Sequence, residues 1–448
     1  MTKPGYLSSI YSRAGFIGML LLWWSLAALA FEPADICPKI IQVPGMMGPV
    51  TVDAYSGEFS NEAEWVFCVP AKGWNGDLVV LSHGTVNALR EGGKIEEIKG
   101  QMEFGTVSIP EMINGLGYAF AVSARSKSGL SVIEGVEEAS ELYDVFEEQV
   151  GQPDHAFLVG VSQGAAIATL LVEFEQGDPR FQGALAACGP IGHFRKQLSY
   201  FLNFLVLFEY YFRPELTQAG ITLLEKDMGN PHVPDSLLDQ WEGKEHQEGI
   251  KDEIQTIIFS APADKLGELL KVARVPGAYG DDTYKKKLVA DLVNHIVPGV
   301  NDVIETLGGN PFDNRFKFYW GATEPFILNH GVLRFSADRD ALVELKHRYE
   351  TSGNLTSQLV SLHTIGDHRV PFWHEIFYFF KTLQPGLATN YSLIPIDRPG
   401  HCAFEPVEAL AAFALLIGKS TGFDFQNAEW LLKTEVEKQR FRQILEQF

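Results

Sequence analysis

Three residues, far apart in a chain of 448, carry side chains that do chemistry only when brought together. Ser162 lies in Gly160-Val161-Ser162-Gln163-Gly164, Asp367 in Thr364-Ile365-Gly366-Asp367, and His401 in Arg398-Pro399-Gly400-His401. A serine hydroxyl is a poor nucleophile at neutral pH and needs an imidazole to take its proton. The imidazole needs a buried carboxylate to fix its tautomer and to stabilise its charged form. The expected chemistry is therefore nucleophilic attack by Ser162, with His401 as base and Asp367 orienting the base.

The segments around these residues must position them. Ala156-Phe157-Leu158-Val159 is a short apolar run, as expected of a strand buried on both faces, and Ala165–Leu171 reads as a helix. A serine on the tight turn between such a strand and helix stands above the sheet edge with its hydroxyl exposed, and flanking glycines leave room for the turn. Leu359–His363 reads as a strand ending just before Asp367, and Tyr391–Pro395 as one ending just before His401. Upstream, Asp77–Leu81 reads as a strand running into Ser82-His83-Gly84-Thr85.

In this order and context the motifs resemble the α/β-hydrolase superfamily, over about residues 65–190 and 355–420. The resemblance implies a mostly parallel eight-stranded sheet flanked by helices, with Ser162, Asp367 and His401 at the carboxyl ends of strands. It also implies a site for a negatively charged oxygen, built from the N–H of Gln163 and that of Thr85 or Gly84. Val69-Pro70, Trp74-Asn75-Gly76-Asp77-Leu78-Val79-Val80 and Gly400-His401-Cys402-Ala403-Phe404 are similar to segments of secreted esterases, of the tannase/feruloyl-esterase and hydroxyalkanoate-oligomer-hydrolase types. Tannase-like enzymes place a cysteine before the nucleophile; this chain has Val161. The implied activity is hydrolysis of a small-molecule or oligomeric carboxylic ester through an acyl-enzyme on Ser162. The same groups can serve an amidase or peptidase. A non-catalytic binding protein on this fold would typically have lost part of the triad.

Other residues compete for these roles. His83 is expected to brace its loop. His363 falls inside a strand, and His368 begins the segment leading to Arg369-Val370-Pro371, so neither stands where the base belongs. Asp397 is too close to His401 in the chain to reach its far nitrogen, and Asp178 precedes its strand.

The first thirty residues read as a signal peptide, giving a secreted or periplasmic protein. Lys3 and Arg13 are its basic start, Phe16–Trp24 its apolar middle and Ala28-Leu29-Ala30 its cleavage site. An uncleaved anchor is the competing reading; after cleavage no stable membrane insertion is expected. A net charge of −21 repels phosphate backbones and excludes nucleic acid as a partner. Cys37, Cys68, Cys188 and Cys402 are an even count with no C-x-x-C spacing. Cys188 ends a strand-like run and Cys402 follows His401, so a Cys188–Cys402 bridge could pin the histidine loop. Cys37–Cys68 would then tie down the N-terminal extension, with free thiols and the other pairings left open. Neither metal-ligand spacing nor a phosphate-binding glycine loop is present, so no metal and no cofactor is implied.

Along the chain, strands alternate with helices up to Gly189-Pro190 and again from about Thr356. Residues 191–355 are instead expected to form a largely helical cap inserted between sheet strands six and seven, with 31–190 and 356–448 as the core. Helices are read at Phe194–Phe212, Lys265–Arg274 and Thr283–Ile296, and at Asn427–Phe448. The cap opens with Phe194, Tyr200, Phe201, Phe204, Phe208, Tyr210, Tyr211 and Phe212. Their spacing of three and four suits the cap's own core, with one or two rings reaching the pocket.

Overall fold

The computed structural model describes residues 36–37, 40–41, 49–104, 107–173, 177–243, 248–383, 390–422, 429 and 432–448. The expected signal peptide lies outside these residues. Eight strands form the main sheet: β1 (Val50–Glu58), β2 (Glu64–Pro70), β3 (Leu78–Ser82), β4 (Ala119–Ser123), β5 (Ala156–Val161), β6 (Phe181–Ala187), β7 (Gln358–Gly366) and β8 (Tyr391–Pro399). Their order is β1-β2-β4-β3-β5-β6-β7-β8, and the two-residue strand Ile40–Ile41 adds at the β1 edge. From β4 to β8 every neighbouring pair is parallel, whereas β2 runs antiparallel to both β1 and β4. This is the mostly parallel eight-stranded sheet that the motifs led us to expect.

The strand sequences follow from their positions. Every residue of β3 (LVVLS) and β4 (AFAVS) is buried, as central strands covered on both faces must be. By contrast, β1 (VTVDAYSGE), next to the sheet edge, is mostly open to solvent. Helices cover both faces. On one side are α1 (Ile109–Gly115) and, near the C-terminus, Pro406–Thr421 and Glu435–Leu445. On the other are α2 (Val132–Gln149) and α3 (Gln163–Leu171). Alternation along a strand divides the core accordingly: Val79, Phe157 and Val159 pack with the first set, Leu78, Val80 and Leu158 with the second.

Between β6 and β7 the chain carries mostly helices, the longest being α4 (Phe194–Gln218), α5 (Ile250–Ser260), α6 (Ala263–Ala273) and α7 (Asp282–Ile296). They bury a hydrophobic core of their own, from Leu202 to Phe335. Phe194 and Leu198 at the start of α4, and Ala341 to Leu355 at the far end, pack instead with the sheet. After β7 come α8 (Trp373–Thr382), then α9 (Pro406–Thr421) and α10 (Glu435–Leu445). The C-terminal helix is shorter than the amphipathic pattern suggested. Thr434 and Glu437 form a reciprocal capping box that starts it at Glu435, and part of the expected span lies outside the described residues.

Candidate active site

In an open parallel sheet, ligands gather beyond the carboxyl ends of the strands. Here β3 hands over to His83-Gly84-Thr85, β4 to Arg125, β5 to Ser162, β6 to Cys188, β7 to Asp367 and β8 to His401. The turn at Ser162 is strained: its φ of 55° and ψ of −118° lie where a side chain is rarely tolerated, a cost of about 1–3 kcal/mol met by the surrounding packing. Gly160 and Gly164 are needed for space and not for their own backbone angles. A Cβ on Gly160 would lie 2.2 Å from the Gly164 carbonyl oxygen, and one on Gly164 would lie 1.9 Å from that of Ser82.

Ser162, Asp367 and His401 come together. His401 Nε2 is 3.0 Å from Ser162 Oγ, and its Nδ1 is 2.7 Å from Asp367 Oδ2. Since a carboxylate only accepts, Nδ1 carries the proton and Nε2 is left to accept from the serine. Asp367 is fully buried, and its Oδ1 accepts the N–H groups of Arg369 and Val370, each at 2.9 Å. Burial alone would raise its pKa; His401, His363 and the Val370 N–H outweigh burial and hold it below the ordinary carboxylate range. The His401 loop is fixed at both ends. Thr364 Oγ1 donates to the Gly400 carbonyl at 2.6 Å, and Cys402 is bonded to Cys188. Cys37 is bonded to Cys68.

The rival residues are engaged elsewhere. Asp178 is paired with Arg180, and Asp397 is exposed. His83 Nδ1 donates to the Gly84 carbonyl at 2.7 Å while Nε2 accepts the Arg125 N–H at 3.3 Å, so the ring is neutral and braces its loop. Burial and the nearby Arg125 charge push its pKa well down.

The sequence reading overlooked Arg125. Its buried guanidinium donates to the carbonyls of His83 (2.8 Å) and Gly84 and to Ser131 Oγ (2.8 Å). In a trans peptide, the N–H points opposite to the carbonyl. Holding the Gly84 carbonyl therefore also fixes the direction of the Thr85 N–H. The side chain of Gln163 was overlooked too: it accepts from Ser131 and donates to the Gly129 carbonyl (3.0 Å) and Thr85 Oγ1 (3.3 Å). Its backbone N–H, first in α3, has no acceptor within the helix and is free for a ligand. Neither signal was visible in sequence, because Arg125 and His83 are 42 residues apart.

A cavity of about 200 Å³ opens at Ser162, bordered by Thr85 and Gln163 and walled by Phe194, Leu198, Phe201 and Leu202 of α4, by Ile296 at the end of α7 and by Pro298 and Val300 beyond it. Phe201 is thus a wall residue, while Phe204, Phe208 and Phe212, one turn apart along α4, are wholly buried in the helical core. His295 also faces the cavity with its ring 5.2 Å from that of Phe201; burial, with Arg369 and His401 nearby, pushes it down to about 3 and keeps it neutral. Among the described lining residues the charged group is Asp302, which is neutralised by Lys127 at 3.0 Å and the Leu130 N–H. Asp291 of α7 grips the loop after Asp367, pairing with His368 (2.6 Å) and with Nε and Nη2 of Arg369. Among the described residues, Cys188, His401 and Cys402 form a triplet of converging potential metal donors, and its two sulfurs are tied in a disulfide. No described helix is long and apolar enough to cross a membrane.

No protein-family profile and no curated protein matches this chain. Among solved structures it is similar to feruloyl esterase B from Aspergillus oryzae (15% identity over 86% of that chain and 87% of this one, TM-score 0.39). It is also similar to an esterase from the same organism (17%, 78% and 82%, TM-score 0.37). A third is the acylaminoacyl peptidase of Pyrococcus horikoshii, at 12% identity and TM-score 0.37, covering 86% of this chain; the present chain spans only 44% of that one. Similarity at this level transfers neither activity nor substrate.

Proposed function

We propose that this chain is a serine hydrolase that cleaves carboxylic esters through an acyl-enzyme on Ser162. The observation that carries the reading is the relay Ser162–His401–Asp367, at 3.0 and 2.7 Å, opening onto an apolar cavity. Ser162 Oγ attacks the ester carbonyl while His401 Nε2 takes its proton. The tetrahedral oxyanion is held by the N–H groups of Gln163 and Thr85, of which Thr85 is favoured over Gly84 because it lines the cavity. His401 then protonates the departing alkoxide, and a water activated by the same imidazole releases the acid. Asp367 stays ionised throughout and stabilises the imidazolium.

Residues 191–355 act as a cap over Ser162 in this reading, with α4 supplying the acyl wall. Among the described residues the lining carries no uncommitted charge, which suits an uncharged ester with an apolar acyl group. The two disulfides fit export to an oxidising compartment by the N-terminal signal segment. The test is covalent labelling with an organophosphonate, together with turnover of p-nitrophenyl, feruloyl and hydroxyalkanoate esters and of matching amides. Labelling should map to Ser162, and Ser162→Ala should abolish both labelling and ester turnover. A label on another serine, or undiminished turnover in the variant, would refute the assignment.

A further inference from the structure

Against Asp367 lies a second histidine that the reaction does not touch; it approaches Oδ2, the carboxylate oxygen that His401 also engages. His363, in β7, is wholly buried. Its Nδ1 is 2.6 Å from Glu375 Oε1 of α8, and its Nε2 is 2.8 Å from the Val370 carbonyl oxygen and 3.6 Å from Asp367 Oδ2. Both ring nitrogens thus face oxygen atoms, one of a carboxylate and one of a backbone carbonyl. Against an ionised Glu375, a neutral imidazole would set its lone pair against an acceptor on one side, whereas the doubly protonated ring satisfies both contacts. Glu375, also fully buried, accepts from His363 and from the Tyr391 hydroxyl (2.6 Å), the bonding expected of an ionised carboxylate. His374, next to Glu375, is different. Its Nδ1 accepts the N–H groups of Gly192 and His193, its Nε2 donates to Gln197, and it is neutral.

We propose that His363 is a permanent imidazolium, locked by Glu375 beside Asp367, that acts as a positioning residue and lowers the proton affinity of His401. The proposal rests on the triad reading above. Asp367 faces two cations in the working state: His363 at all times, and His401 once the serine proton has moved. The His363 charge partly offsets the Asp367 charge felt at His401, so His401 stays unprotonated, and able to act as base, to lower pH. Other charged groups near Asp367 are already balanced, since Arg369 is paired with Asp291 of α7; Tyr200 of α4 donates to the His368 carbonyl and remains a neutral phenol. Burial works against the charge on His363. The Glu375 carboxylate, with Asp367 and the Val370 carbonyl, outweighs it and holds His363 above the ordinary histidine range.

The experiment has two arms. In the first, the pH dependence of kcat/KM for p-nitrophenyl butyrate is compared in the wild type, His363→Gln and the His363→Gln/Glu375→Gln double variant. Removing the His363 cation should move the acid limb of the single variant upward by about one pH unit, with KM little changed. The double variant should shift the same way, by no more than the single. A residue that merely supported the fold would lower activity at every pH and leave the limb where it is. In the second arm, the protein labelled with ¹⁵N-histidine is followed by NMR, His363 being assigned by its loss in the variant or, if that does not fold, by sequential resonance assignment. Two protonated ring nitrogens that persist at pH 8 are expected. An unmoved acid limb in a folded variant, or a buried histidine set with no doubly protonated ring at pH 8, overturns the proposal. The NMR readout does not depend on turnover, so absence of esterase activity would count against the triad reading alone.

Discussion

Replacing Arg125 by methionine tests how the loop that carries Thr85 is held. Methionine fills similar space and removes the donors to His83, Gly84 and Ser131. The Gly84 carbonyl would keep the His83 ring as a partner, whereas the His83 carbonyl would lose its guanidinium donor. One or two buried acceptors left unpaired cost about 1–3 kcal/mol each in stability. The catalytic loss should be of similar size. A misplacement of about 1 Å costs on the order of 10²-fold in rate, and full loss of an oxyanion donor about 10²–10³-fold. The expectation is therefore a kcat roughly 10²-fold lower with KM changed less than about threefold, and a partial rescue in Arg125→Lys. The assay is steady-state hydrolysis of a p-nitrophenyl ester, with circular dichroism and urea unfolding to measure the folded fraction. A folded Arg125→Met enzyme that keeps more than a third of its kcat would refute the reasoning, as would a loss accounted for by unfolding alone.

Asp367→Asn should cut turnover by about 10⁴-fold with little change in KM, because an amide presents the wrong partner to His401 Nδ1; an equal loss in Asp397→Asn would show that the acid has been misassigned. Phe201→Ala should change the preference between short, long and aromatic esters by about tenfold at constant stability, whereas Phe204→Ala and Phe208→Ala should cost about 3–5 kcal/mol in unfolding and leave selectivity alone. Identical selectivity profiles in all three would mean that the pocket is built elsewhere. Asp291 is opposed by burial, but Arg369 and His368 hold its pKa well below the ordinary value. A carboxylate depressed in this way stabilises the fold fully above its unfolded pKa of about 4 and loses that contribution as pH falls through the depressed folded value. The gap in unfolding midpoint between wild type and Asp291→Asn should accordingly be large at pH 7 and shrink toward pH 3; a constant gap would show that the ion pairs to Arg369 and His368 contribute nothing.

By itself, the sequence determined what depends on neighbours along the chain. Ser162 could be read because a buried strand, a crowded glycine turn and a helix occupy consecutive residues, and the steric demands at Gly160 and Gly164 are met within that stretch or by the adjacent strand. Asp367 and His401 could be read because each directly follows a strand whose apolar run ends at the sheet edge. The spacing of Phe204, Phe208 and Phe212 defined one face of a helix, but which stripe of α4 would look at Ser162 depended on how the helix docks. Tertiary structure decided that it is Phe194, Leu198 and Phe201. It also decided everything that rests on pairing over long separations: the 3.0 Å contact between side chains 239 residues apart, the guanidinium of Arg125 under the Gly84 loop, and Asp291 reaching across to Arg369. The buried His363–Glu375 pair shows the reason most plainly. His363 lies in a run that reads as an ordinary strand, and Glu375 in α8. Only the packing of those elements, which excludes water and sets oxygens against both ring nitrogens, gives the grounds for proposing a fixed charge beside Asp367.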